Sequence, residues 1–106
     1  MRAGAMTVRG NLPPEVIQRL VRRSFTDLRR VYEKGLRSNP TLQGRVVMSF
    51  VIDEQGRVLR ATSAGSDLPD SDVISQVTQG ISRIVFPSPE GGQVSVVLPI
   101  VFRPCD

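Results

Sequence analysis

Three carboxylates close together in the sequence, Asp67, Asp70 and Asp72, are the residues whose type and spacing most suggest chemistry. Neighbouring carboxylates can act as general acid and base, and grouped carboxylate oxygens can bind a divalent cation. A calcium-binding loop, however, spaces its oxygen ligands more closely, turns at a glycine and ends on a glutamate, and this segment has neither residue. We therefore interpret the three carboxylates as solvated loop charges and as the N-cap of a helix.

Other catalytic and metal-binding arrangements lack the residues that they need. The chain has no histidine and one cysteine, Cys105, which excludes a Ser-His-Asp triad, a Cys-His pair and a zinc site of the usual ligands. The glycines at positions 91 and 92 are not followed by the lysine and hydroxyl residue of a phosphate-binding loop, so we interpret them as a turn. The sequence therefore predicts a protein that is not an enzyme, without catalytic residues, cofactor or metal site.

Basic residues offer a different chemistry, the binding of phosphate groups. The formal net charge is +4, and seven basic residues fall within one predicted helix: Arg19, Arg22, Arg23, Arg29, Arg30, Lys34 and Arg37. Such a helix could bind nucleic acid in a strongly salt-dependent way. Acidic residues lie three or four positions from several of these charges, and no exposed aromatic residue is expected among them to stack on bases. Nucleic-acid binding is therefore the alternative function, and an acidic partner or anionic headgroups suit this face better.

The pattern of apolar residues predicts the elements that position these groups. Residues 13–38 have an apolar stripe at steps of three and four, which indicates a helix, and the sequence Asn39-Pro40 ends it. From Gly44 the period changes to two, which indicates a strand. Residues 53–56 have the composition of a tight hairpin turn, and residues 57–63 return as a second strand. A β-bulge between Val58 and Ala61 would place both side chains on the core face.

The second half of the chain predicts a helix and a final strand. The helix begins at an N-cap, Asp70 or Ser71, and its apolar stripe continues to Ile84. Residues 93–102 alternate as the last strand. The order α-β-β-α-β predicts an α+β fold, a two-layer sandwich with a three-stranded antiparallel sheet packed on two helices. Residues 11–106 form this one domain, residues 1–10 read as a disordered lead-in or an artificial leader, and no apolar stretch of 18 residues exists to span a membrane.

A proline inside the last predicted strand indicates where that strand lies. Pro99 has no N–H to donate, so the strand is expected at the border of the sheet. Since backbone groups alternate sides along a strand, the N–H and C=O groups of Ser95, Val97 and Val101 then point outward with Pro99. This row is the edge to which another strand could be added.

The reverse face of the first strand is a second expected contact surface. Val47, Ser49 and Val51 are small and partly apolar, which predicts a sheet face that the single domain covers only in part. A homodimer or a different partner protein would cover it, and the sequence does not choose between them.

Four motifs together resemble those of the TonB C-terminal domain family, in particular its AgmX/PglI-like branch of gliding-motility and envelope proteins. They are Tyr-Glu-Lys at 32–34, Asn-Pro-Thr-Leu-Gln-Gly at 39–44, Ile-Asp-Glu-Gln-Gly-Arg-Val at 52–58 and Phe-Pro-Ser-Pro-Glu-Gly-Gly at 86–92. The resemblance covers nearly the whole chain. Members of the family often have cysteines in both helices and a tryptophan before the Phe-Pro, whereas this chain has Val31, no cysteine in the second helix, and Ile84.

The resemblance implies a non-catalytic interaction module for envelope energy transduction or gliding motility. Such a module is periplasmic and forms the C-terminal end of a longer protein whose membrane tether, in the inner membrane, lies upstream. Its partner is a segment of an outer-membrane or periplasmic protein that adds a strand to the sheet edge. In this chain the expected partner-binding residues are Ser95, Val97, Pro99 and Val101.

Overall fold

The computed structural model describes residues 1–104, so Cys105 lies outside the described residues. Two helices and five strands form in the described part of the chain. In chain order they are β1 (Arg2–Ala3), β2 (Thr7–Arg9), α1 (Pro14–Ser38), β3 (Gly44–Ile52), β4 (Val58–Thr62), α2 (Ser71–Ser82) and β5 (Val94–Phe102). The α+β class and the limits of the long elements agree with the prediction.

Helix α1 follows its amphipathic pattern closely. Pro13 precedes it with φ −59° and Pro14 opens it, at positions where a missing N–H costs nothing. Residues on its apolar stripe are buried or half-buried, and the basic residues of the opposite side are exposed. Gly35 is buried where a Cβ would lie 2.8 Å from Val73 and 2.9 Å from Leu42, so glycine allows α1 and α2 to approach closely. Asn39 ends the helix and donates its main-chain N–H to the Gly35 carbonyl.

The sheet is antiparallel in the order β1-β5-β3-β4, and β2 also pairs with β5. Strands β3 and β5 are its centre and pair over their full nine residues, with Met48 opposite Leu98. Between β3 and β4 the register shifts at Val51 and Ile52. This shift confirms the predicted bulge, because Leu59 is the extra residue that turns outward while its two neighbours stay paired.

The prediction of three strands is wrong, since the sheet has five. Strand β5 is not the border strand: β1 and β2 pair along its other side. Both strands, Arg2–Ala3 and Thr7–Arg9, lie within residues 1–10, which were expected to be a disordered lead-in or an artificial leader. The apolar residues Ala3, Met6 and Val8 pack against the core, but one spacing of three and one of two among them hide the period of a strand.

One core lies between the sheet and the two helices. Alternate residues of β3 and β5 point into it, as the period of two predicts. The ring centroids of Tyr32 and Phe102 are 5.0 Å apart, and those of Phe50 and Phe86 are 6.0 Å apart. The core residues with the largest fully buried side chains are Phe50, Phe102, Ile17, Leu28, Leu42, Met48, Ile52, Ile81, Leu98, Ile100, Val21 and Val46.

Polar side chains complete the turns. The Asp53 carboxylate accepts main-chain hydrogen bonds from Gln55 (2.9 Å) and Arg57 (2.8 Å), which closes the hairpin. Asp70 is the N-cap of α2, and its carboxylate accepts from the Val73 N–H at 3.1 Å. The helix ends at Ser82, so Ile84 lies beyond it, although its half-buried side chain still packs against the core.

Candidate interaction surfaces

The four residues predicted to bind a partner lie together along one side of β5. Ser95 is opposite Arg9, Val97 is opposite Thr7, and Val101 is opposite Arg2. The carbonyl oxygen of Pro99 accepts a 2.8 Å hydrogen bond from the N–H of Gly4, so it faces away from β3 as the alternation argument predicts. The chain's own N-terminal segment therefore occupies the edge that the sequence reasoning left free.

The pairing of this N-terminal segment changes register beside Pro99. Ala3 is opposite Ile100 and Thr7 is opposite Val97. Between these pairs the N-terminal segment has three residues whereas β5 has two, so the segment contains one extra residue, as in a β-bulge. Because Pro99 has no N–H, it cannot return the hydrogen bond that it accepts from Gly4, and the ladder is interrupted at this point.

Sequence reasoning missed the N-terminal strands and found the residues that they contact. Ala3, Met6 and Val8 are partly buried against the core, while Ala5 and Thr7 are exposed. The available signal was this arrangement of apolar residues, which becomes a strand pattern once one extra residue is allowed between Ala3 and Val8.

The outward face of the sheet is a second candidate surface. Both helices pack on the opposite face, and the outward side chains of β3 and β5 remain partly or fully exposed. Its apolar centre includes Val97, which is 40% exposed. Exposed arginines lie around that centre, and none of the outward strand positions has an acidic residue: Arg2 and Arg45 flank Val101, and Arg9 and Arg60 are in line with Ser95 and Val51.

The basic residues of α1 form the third candidate surface. All seven that the sequence singled out are exposed. Asp27 lies 3.9 Å from Arg30 in an exposed ion pair, and Glu15 and Glu33 are exposed on the same helix. Acidic groups therefore interrupt the positive surface of the helix.

Two of the three grouped carboxylates, Asp67 and Asp70, accept main-chain hydrogen bonds. Asp70 caps α2, as predicted. Asp67 forms two hydrogen bonds with the main chain of Arg45, near the start of β3. Its carboxylate accepts from the Arg45 N–H at 2.6 Å, and its own N–H donates to the Arg45 carbonyl at 2.9 Å. Asp72 is exposed in the first turn of α2, where a negative charge is favourable. Over residues 1–104, no group of three acidic, cysteine or histidine residues is arranged to hold a metal ion.

The turn at Gly91 and Gly92 has positive φ angles of 81° and 119°, which glycine adopts readily. It connects to β5, and no helix starts there, in agreement with its interpretation as a turn.

Comparison with known proteins identifies the fold. The solution NMR structure of the TonB C-terminal domain of Helicobacter pylori superimposes with a TM-score of 0.65 at 21% identity, over 87% of this chain and 83% of that one. The solution NMR structure of the Pseudomonas aeruginosa TonB C-terminal domain gives a TM-score of 0.53 at 19% identity, over 95% of this chain and 88% of that one. No family model and no curated protein matches the sequence. The chain thus has the fold of TonB C-terminal domains, and no helix within residues 1–104 has the length and apolar character to cross a membrane.

Proposed function

We propose that this chain is a non-catalytic, protein-binding domain of envelope energy transduction. In this proposal it is periplasmic, forms the C-terminal part of a protein anchored in the inner membrane, and binds a segment of an outer-membrane or periplasmic protein. Its fold, shared with two TonB C-terminal domains, supports this role. The motifs quoted above favour the AgmX/PglI-like branch and a part in gliding motility.

The proposed mode of binding is strand addition along β5, at Ser95, Val97, Pro99 and Val101. The observation that carries it is that this edge already accepts two short antiparallel strands of the chain itself, Arg2–Ala3 and Thr7–Arg9. In strand addition, main-chain hydrogen bonds supply affinity and alternate side chains supply specificity. The partner segment takes the place of residues 2–9, which move aside.

Strand β5 is well placed to transmit a mechanical force between such a partner and the domain. It pairs with β3 over nine residues and its inward side chains are fully buried, so the added strand connects directly to the centre of the sheet and to the core.

Amide chemical-shift mapping tests the proposal. The ¹⁵N-labelled chain is titrated with a peptide from the candidate outer-membrane partner, and we expect the shifts to centre on residues 95–101 and on the displaced residues 2–9. A matched peptide that is N-methylated along its backbone keeps the side chains but lacks N–H donors, and it should not bind. Shifts centred on α1 with residues 95–101 unmoved would contradict strand addition.

The alternative function is tested with the same sample. Binding of a DNA duplex through α1 would shift the amides around Arg22 and Arg30 and would weaken steeply with salt. We expect no salt-dependent saturable binding of this kind at physiological ionic strength.

The proposed location is tested separately. Alkaline phosphatase, fused after this domain in the full-length gene product, should be active, because this enzyme folds in the periplasm. An inactive fusion with normal expression would contradict the periplasmic location.

A further inference from the structure

The contact between Gly4 and Pro99 restricts which strand the edge of β5 accepts. A Cβ at position 4 would lie 2.9 Å from Cγ of Pro99, well inside the separation at which carbon atoms attract. The proline ring is tied to its own backbone and cannot rotate away as an open side chain would. Gly4 has no positive φ angle, so glycine is required here for space and not for conformation.

The inward positions of the same segment add a second restriction. Ala3, Met6 and Val8 pack against the core, with Ala3 opposite Ile100 and Val8 opposite Val96. Ala5 and Thr7 between them are exposed. A strand in this place is therefore apolar immediately before the glycine and again two and four residues after it.

We propose that β5 selects partner strands with the pattern apolar, glycine, any residue, apolar, any residue, apolar, with the glycine placed beside Pro99. This inference rests on the proposed function, because it specifies the partner for the same edge. Residues 1–9 of the chain act as an internal competitor with this pattern. Their tether gives them an effective concentration of roughly millimolar, so a partner binds the intact chain more weakly than a chain whose own segment has been released.

Peptide binding in trans tests the pattern. A labelled peptide of residues 1–10 is titrated into the full chain with the substitution Val8→Asp, which places a charge at a half-buried position of the competitor and leaves β5 unchanged. We expect this peptide to bind the Val8→Asp chain at least about tenfold more tightly than the wild-type chain, since the edge is free. The same peptide with Gly4→Val should bind the Val8→Asp chain about tenfold or more weakly than the glycine peptide.

The variant Pro99→Ala identifies the cause of the discrimination. It removes the ring atom that a Cβ at position 4 would meet. On a chain with both Val8→Asp and Pro99→Ala, the glycine and valine peptides should bind within about threefold of each other. Equal binding of both peptides to the Val8→Asp chain would overturn the glycine requirement, and no binding of either to that folded chain would overturn the whole inference.

A double-mutant cycle of folding stability at positions 4 and 99 of the intact chain tests the Gly4–Pro99 contact even if Val8→Asp does not fold. We expect Gly4→Val to lower the equilibrium constant for folding by about tenfold, and to lower it far less when Pro99 is replaced by alanine. Ala5→Val, at the neighbouring exposed position, is the control and should change stability little. The same cost for Gly4→Val with and without Pro99 would contradict the contact.

Two outcomes distinguish an error in the glycine pattern from an error in the proposed function. If the residue 1–10 peptides show the glycine discrimination but no outer-membrane segment shifts residues 95–101, the edge has the stated selectivity and the proposed function is wrong. If an outer-membrane segment binds that edge equally well with valine in place of its glycine, the proposed function stands and the pattern is wrong.

Discussion

Phe86 and Gly56 hold the β3–β4 hairpin against the segment that leads to β5. The N–H of Phe86 donates to the carbonyl oxygen of Gly56 at 2.8 Å, and the two backbones are so close that a Cβ at Gly56 would overlap the Phe86 carbonyl oxygen. The Phe86 ring stacks on Phe50 in the core. The turn is thereby connected to the core through main-chain atoms, which no rotamer change can move.

Gly56→Ala should therefore be among the most destabilising small substitutions in the chain. Gly56 has a φ of 85°, which costs an L-residue about 1–2 kcal/mol, and the overlap with Phe86 adds to it, for a total of roughly 3 kcal/mol or more. Urea unfolding measures the loss. Gly65→Ala is the matched control, since Gly65 has a φ of 87° and no atom within 4 Å of its added Cβ. Equal losses for the two substitutions would show that the approach of Phe86 costs nothing.

Tyr32→Phe should lower stability by about 1–2 kcal/mol. The Tyr32 hydroxyl donates to the main-chain carbonyl of Leu42, and both residues are buried. Phenylalanine keeps the ring against Phe102 but leaves that carbonyl without its donor. Thermal unfolding of the two proteins gives the difference, and the cavity-forming Tyr32→Ala should lose considerably more. Unchanged stability of Tyr32→Phe would mean that water replaces the hydroxyl.

Asp70→Ala should cost about 1 kcal/mol, because it removes the side chain that caps α2. Asp70→Asn is the control: its side-chain oxygen can accept from the same N–H, and asparagine is an equally good N-cap. Chemical denaturation of the three proteins should rank wild type and Asp70→Asn together above Asp70→Ala. Similar losses for both variants would mean that the charge of Asp70 matters and its cap hydrogen bond does not.

The outward face of the sheet should not pair with itself at low ionic strength. Two copies in face-to-face contact would bring the arginines around the apolar centre, Arg2, Arg9, Arg45 and Arg60, near their own equivalents. Sedimentation velocity at low salt should therefore give one monomeric species at high and low protein concentration, with any self-association appearing only when salt screens these charges. A stable dimer at low salt that weakens with added salt would contradict this arrangement.

Local patterns predicted most of the fold correctly. The apolar stripe of α1, the capping carboxylate of Asp70 and the hairpin turn at Gly56 involve residues close in sequence, so their spacing is enough to identify them. The bulge at Leu59 was also predictable, because Val58 and Ala61 could share a face in no other regular way. The missing N–H of Pro99, with the alternation of backbone groups along a strand, was enough to predict which N–H and C=O groups of β5 point away from β3.

The sequence by itself determined the two helices, the hairpin, the inward face of β5 and the absence of histidine chemistry, since each depends on residue type or on spacing within one element. Only the tertiary structure decided what lies along the side of β5 that faces away from β3. Strands β1 and β2 are two and three residues long and have little preference of their own. They form because β5, about 90 positions away in the chain, offers them a ladder of hydrogen bonds and an apolar surface for Ala3, Met6 and Val8, and such a long-range pairing leaves almost no signal in a short segment.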